Sequence, residues 1–209
     1  MTSPHAGVHR AVEAYYTGKV EKYGATALGV DWPSTPSLQL RLVKLLKVVD
    51  FAQGTSLNDL GCGWGAALDL IELRHRAARI DYSGIDLSAA MIEQARRKWG
   101  QRARTAFSVG HQCDRMAHYS IASGIFNVKL DATRQAWEAA VQATLQNLNA
   151  CSSNGFAVNF MLPVDDADAV PQLYRTEPDP WVAFCRQQLR RAVEIVEDYG
   201  QNEFTLLVR

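Results

Sequence analysis

An α/β fold is what this sequence predicts, and two local patterns predict it. The first is a strand, a glycine turn and a helix in direct succession. Thr55 to Leu60 is short and mixed, Gly61-Cys62-Gly63-Trp64-Gly65 follows, and Ala66-Ala67-Leu68-Asp69-Leu70-Ile71-Glu72-Leu73 consists of strong helix formers. The second is a strand from Ile80 to Ile85 that ends in Asp86. Beyond it Ser88 is placed to N-cap a helix running to about Trp99, with Met91, Ile92, Ala95 and Trp99 on its inner face.

Each pattern has a steric or electrostatic meaning. Glycines at alternate positions let the backbone take positive φ angles and leave bare main chain against which a ligand can lie. A carboxylate about 20 residues beyond such a turn is placed to accept both hydroxyls of an adenosine ribose. A dinucleotide site has the spacing G-x-G-x-x-G/A, and Gly61, Gly63 and Ala66 satisfy it. Spacing alone therefore leaves two cofactor types open.

Asp59-x-Gly61-x-Gly63-x-Gly65 closely resembles the first motif of class I S-adenosylmethionine-dependent methyltransferases, and Gly84-Ile85-Asp86-Leu87-Ser88-x-x-Met91-Ile92 resembles their second. The acid ahead of the turn lies near the amino-acid end of the cofactor in that family, where a pyrophosphate would be repelled. The resemblance implies a Rossmann-like fold: a seven-stranded, mostly parallel sheet with an antiparallel last strand and helices on both faces. It covers about Thr55 to Arg209. Phe107-Ser108-Val109-Gly110-His111 looks like the end of the third strand, Tyr119 to Val128 like the fourth strand and its loop, and Gly155 to Met161 like the fifth. Ala192 to Val196 and Phe204 to Val208 resemble the closing antiparallel pair. Between the fourth and fifth strands, Trp137, Val141, Leu145 and Leu148 fall at helical spacing, a core stripe, and after the fifth Trp181 to Leu189 reads as helical.

The cofactor, S-adenosyl-L-methionine, is implied to lie against Asp59, Gly61, Cys62, Gly63 and Gly65 at the turn, and Asp86, Leu87 and Met91 at the second motif. His111 and Ser123 at later strand ends are further candidates. His111 stands where the family usually has an acid for the adenine, so that contact falls to the His111 backbone, to Asp114 or to neither. Chemistry belongs at the carboxyl ends of parallel strands. That points to Asn127, whose amide can donate to a substrate oxygen and accept from an amine. Methyl transfer requires chiefly an aligned nucleophile, so no general base has to stand out.

The chain reads as a single domain of 209 residues, with a helical lid over 1–53 and a cofactor-binding core over 54–209. In the lid, Val8, Val12 and Tyr15 or Tyr16 suggest an amphipathic helix. Thr35 and Pro36 look like N-cap and N1 of a second helix bearing Leu38, Leu42, Leu46 and Val49. Tyr16 and Tyr23 could present aromatic faces to a sulfonium, and Lys19 could reach the cofactor carboxylate. The aspartate- and proline-rich stretch from Leu162 to Trp181 is a candidate substrate loop that carries Tyr174.

With 22 basic and 22 acidic residues, no global field draws in nucleic acid or an anionic membrane. Phe126-Asn127-Val128-Lys129 also lacks the prolines of the base-flipping methyltransferases' signature. The four cysteines show no C-x-x-C spacing, so neither a metal site nor a disulfide framework is expected. No signal peptide or membrane span is recognisable, and a cytoplasmic location follows as the expectation. The expected activity is methyl transfer to a small-molecule acceptor. The alternatives are a cyclase forming azetidine-2-carboxylate and methylthioadenosine, a cofactor-binding protein without chemistry, and an NAD-dependent oxidoreductase.

Overall fold

A computed structural model describes residues 5–197 and 199–209. Seven strands form one sheet: β1 (Thr55–Leu60), β2 (Ile80–Asp86), β3 (Thr105–Val109), β4 (Ala117–Ala122), β5 (Ser152–Met161), β6 (Val193–Val196) and β7 (Glu203–Val208). They lie in the order β3-β2-β1-β4-β5-β7-β6, with β7 antiparallel to both neighbours and every other pairing parallel. The expected sheet is therefore the observed one.

Six α-helices accompany it among the described residues: α1 (Ala6–Tyr23), α2 (Thr35–Leu45), α3 (Ala66–Arg74), α4 (Ala89–Trp99), α5 (Arg134–Ala150) and α6 (Pro178–Gln187). One apolar core joins α2, α3 and α4 to the sheet through residues such as Leu42, Leu68 and Ile92. A second joins α5 and α6 through Trp137, Val141, Leu145 and Trp181. The helical stripe read in the sequence is the α5 face that this second core buries.

Three boundaries differ from expectation. Ser34, not Thr35, caps α2, its Oγ accepting the Ser37 N–H, so Pro36 falls in the first turn rather than at its first position. Pro178 opens α6 three residues before Trp181, because a proline in a first turn forfeits only an N–H that has no helical partner. The strand β5 starts at Ser152, whose buried hydroxyl donates to Ser120 Oγ at 2.7 Å and holds a polar start in the sheet.

The strand order reverses at β1, which pairs with β2 on one side and β4 on the other. In open α/β sheets the crevice at such a switch point, past the carboxyl ends of the strands, is where ligands sit. The segment ahead of β1 packs over that end. Val12 and Tyr16 of α1 join the second core, and Thr17 Oγ1 hydrogen-bonds Ser88 Oγ at 2.7 Å where α4 begins. No helix among the described residues is long and apolar enough to cross a membrane, and the four cysteines are free.

Candidate active site

A cavity of about 290 Å³ lies over the carboxyl ends of the central strands. Its wall at β1 is the glycine turn. Gly61 and Gly63 hold φ of 74° and 54°, and the Gly61 and Cys62 N–H groups both donate to Ile85 O, at 2.7 and 3.1 Å. A Cβ on Gly61 would lie 2.1 Å from Ile125 Cγ2, and one on Gly63 would lie 3.1 Å from Val30 Cγ1. The narrow space over the turn thus exists only because these positions carry no side chain. Cys62 also lines the cavity, and its buried thiol turns toward Gly63 O, its pKa pushed well up by burial.

Two acids flank the turn. Asp59, 2 % exposed, accepts the Tyr82 hydroxyl at 2.6 Å. Burial pushes its carboxyl up to about 7, the Tyr82 bond works against that rise, and the charge of Asp86 adds to it. Asp86 accepts the Gly63 N–H through Oδ2 and the Ser88 N–H through Oδ1, both at 2.9 Å. Burial pushes it up to about 6 against those two bonds. A carboxylate has about four lone-pair sites, so roughly two remain, one on each oxygen. That residue capacity matches a vicinal diol, whereas two acids beside the turn suit a pyrophosphate poorly.

Leu87, Met91, Gly110 and His111 continue the wall from β2 and β3. His111 is exposed, with its ring centroid 4.7 Å from that of His9 on α1; Asp114 is not in the wall. Ser123, Tyr16 and Asn127 also face the cavity. The Ser123 Oγ is buried without a hydrogen-bond partner. Burial raises the Tyr16 phenol well above its ordinary range, so it stays protonated.

Four expected site residues lie outside the wall. Gly65 N-caps α3 with φ of 84°, and a Cβ there would meet Trp99 Cδ1 at 2.7 Å, so packing rather than a ligand demands this glycine. Lys19 is paired with Asp31 Oδ1 at 2.7 Å, and Tyr15 donates to the other oxygen at 2.6 Å; Asp31 faces the cavity in its place. Tyr23 stacks under the Lys22 ammonium, 5.0 Å from ring centroid to Nζ. Tyr174 is buried, donates its hydroxyl to Glu138 at 2.9 Å and leaves the wall to its neighbour Leu173.

The wall residue Arg41 and its ion-pair partner escaped the sequence reading. Arg41 of α2 and Glu203 of β7 form a buried ion pair, with Nε to Oε2 at 2.9 Å and a second bond from Nη2 to Oε1. The Arg41 guanidinium lies 3.5 Å over the Trp32 ring. Asn127 Nδ2 donates to Glu203 Oε1 at 3.4 Å, while its Oδ1 is buried without a partner. The sequence did hold one signal for Arg41, a cation set into the apolar stripe between Leu38 and Leu42. Nothing local marked its pairing, because the partner is 162 residues away.

Comparison with known proteins agrees with this geometry. Residues 58–155 match a family model described as a methyltransferase domain. The chain is 40% identical over 165 residues to Rv1506c of Mycobacterium tuberculosis (strain ATCC 25618 / H37Rv), whose name places it among methyltransferases. The match takes in 78% of this chain and 98% of that protein. The chain belongs to the class I S-adenosylmethionine-dependent methyltransferases. Among solved structures this methyltransferase resembles magnesium protoporphyrin IX methyltransferase from Synechocystis PCC 6803. The TM-score is 0.61 at 13% identity, over 84% of this chain and 83% of that one. It also resembles a SAM-dependent methyltransferase from Aquifex aeolicus, with TM-score 0.58 at 16% identity, over 92% and 97%. Its cofactor is S-adenosyl-L-methionine, and the dinucleotide alternative has no support.

Proposed function

We propose that this methyltransferase methylates a small molecule held in the same cavity as the cofactor. The observation that carries this is the continuity of one wall. It takes in Gly61, Asp59 and Asp86, Asn127, the apolar Val128, Met161 and Leu173, and residues of α1 and α2. Bound S-adenosyl-L-methionine supplies a methyl group on a sulfonium, an electrophile that is already activated. The remaining tasks fall to the chain. Asp86 takes the ribose diol on its two free lone-pair sites, and the bare main chain of residues 61–63 lies under the thioether half of the ligand. Asp59 faces the amino-acid end. Residues 1–53 act as a lid, with Tyr16 offering an aromatic face to positive charge by ~0.5–2 kcal/mol.

Asn127 orients the acceptor. Alignment of the acceptor atom with the bond to be broken lowers such a barrier by ~7–11 kcal/mol, so a positioning amide suffices without a base. Lining residues beyond the cofactor turn, Val128, Met161 and Leu173 among them, favour a second substrate over internal cyclisation. Incubation with S-adenosyl-L-methionine and a panel of small acceptors, read by mass spectrometry, tests the reading. S-adenosylhomocysteine formed in equal amount with a methylated acceptor is the expected result. Methylthioadenosine formed from the cofactor alone overturns it.

A further inference from the structure

The acceptor end of the cavity has a polarity that narrows what can react there; this rests on the acceptor-binding reading above. Asn127 is 6 % exposed, and its amide is not free to turn. Nδ2 points at Oε1 of Glu203, the carboxylate paired with Arg41, and a carboxylate only accepts. A flipped amide would set Oδ1 against that oxygen and break the contact. The main chain at this point is also fixed: the Asn127 N–H donates to Gly124 O at 3.3 Å, and Asn127 O accepts the Tyr174 N–H at 2.8 Å. Oδ1, on a residue of the cavity wall, is left buried and unpartnered.

Two other unpartnered buried atoms share the wall, Trp32 Nε1 and Ser123 Oγ, and both are able to donate. Of the three, only the Asn127 oxygen can be satisfied by nothing but a donor. In the same wall Val128, Met161 and Leu173 are apolar, and the Arg41 charge is already matched by Glu203. A second anion would therefore meet the Glu203 carboxylate without a spare cation from this pair.

We infer that the acceptor substrate is an apolar molecule whose reacting group is a neutral hydroxyl or amine that donates a hydrogen bond to Asn127 Oδ1. A carboxylate, or any other group without a polar hydrogen, would leave that oxygen unpaired. In the reaction the sulfur–carbon bond breaks as the oxygen–carbon or nitrogen–carbon bond forms. The sulfur keeps the bond pair, and the acceptor's proton departs to solvent, since a neutral amide does not take it.

The test is binding to the S-adenosylhomocysteine-loaded enzyme, followed by ligand-observed NMR titration with a matched series: 4-methylphenol, 4-methylaniline, 4-methylanisole and 4-methylbenzoate. The phenol and the aniline are expected to bind at least about tenfold tighter than the anisole and the benzoate, because leaving a buried acceptor unpaired is costly. In Asn127→Leu, close in shape and without the oxygen, the preference disappears while S-adenosylhomocysteine binding remains. Equal binding of the anisole, tighter binding of the benzoate, or no binding by any of the four to the loaded enzyme overturns the inference. Failure of S-adenosylhomocysteine to bind the unmodified enzyme would instead strike the functional reading beneath it.

Discussion

Replacing Asp86 by alanine tests the ribose contact, provided the measurement separates that contact from the turn the same carboxylate supports. Asp86 holds the Gly63 and Ser88 N–H groups, so its loss loosens the turn and weakens every ligand to some degree. The separation comes from a cycle with S-adenosylhomocysteine and its 2′-deoxy analogue. A hydrogen bond to a charged group contributes ~1.5–3 kcal/mol, so the analogue should bind the unmodified enzyme roughly 10- to 150-fold more weakly. In Asp86→Ala the two ligands should bind alike, whatever the common loss. Titration calorimetry of both ligands against both proteins gives the coupling energy directly. If the 2′-hydroxyl contributes equally in the two proteins, Asp86 does not hold the ribose.

Three further outcomes follow from the geometry. Burial raises Asp59 and Asp86 from 3.8 to about 7 and about 6. An acid with a raised folded pKa favours the folded state when protonated, so this contribution is full below about pH 4 and lost as pH rises through about 6–7. Urea midpoints of the cofactor-free protein should thus fall between pH 5 and pH 8, and less so in Asp59→Asn; an equal fall there refutes the Asp59 share. Gly65→Ala should cost about 1–2 kcal/mol for its left-handed φ, with overpacking against Trp99 adding about 1–3, in denaturant unfolding. Its S-adenosylhomocysteine affinity should stay within about threefold, since Gly65 is outside the cavity wall. Thr17→Val removes the bond to Ser88 and should weaken the hold of α1 on α4 by about 1 kcal/mol, seen as faster hydrogen exchange along α1 with α5 unchanged.

What could be read from the sequence was what is local. The turn at Gly61, the strand end at Asp86 and the Ser88 cap each lie within a few residues of the features that explain them, and each stands where spacing put it. Cap choice at α2 failed by one residue because Ser34 and Thr35 are both good caps, and only the Ser34 Oγ meets the Ser37 N–H. Candidate roles for Lys19 and Tyr174 were chosen by residue type, but Asp31 and Glu138 already engage them. Gly65 belonged to the right motif for another reason, the ring of Trp99. Asn127 was picked out by its place after the fourth strand, but its Arg41 and Glu203 neighbours were illegible, since they come from distant stretches and meet only after the sheet has formed.

The Arg41–Glu203 pair also bears on how the molecule is made. During synthesis the guanidinium emerges 162 residues before its carboxylate exists, on a helix face otherwise made of leucines. Until β7 is inserted beside β5, seating that face would strand a lone charge in an apolar interior. The α2 face is therefore seated late, with the strand that completes the centre of the sheet's antiparallel side, and the contact that seats it is long-range.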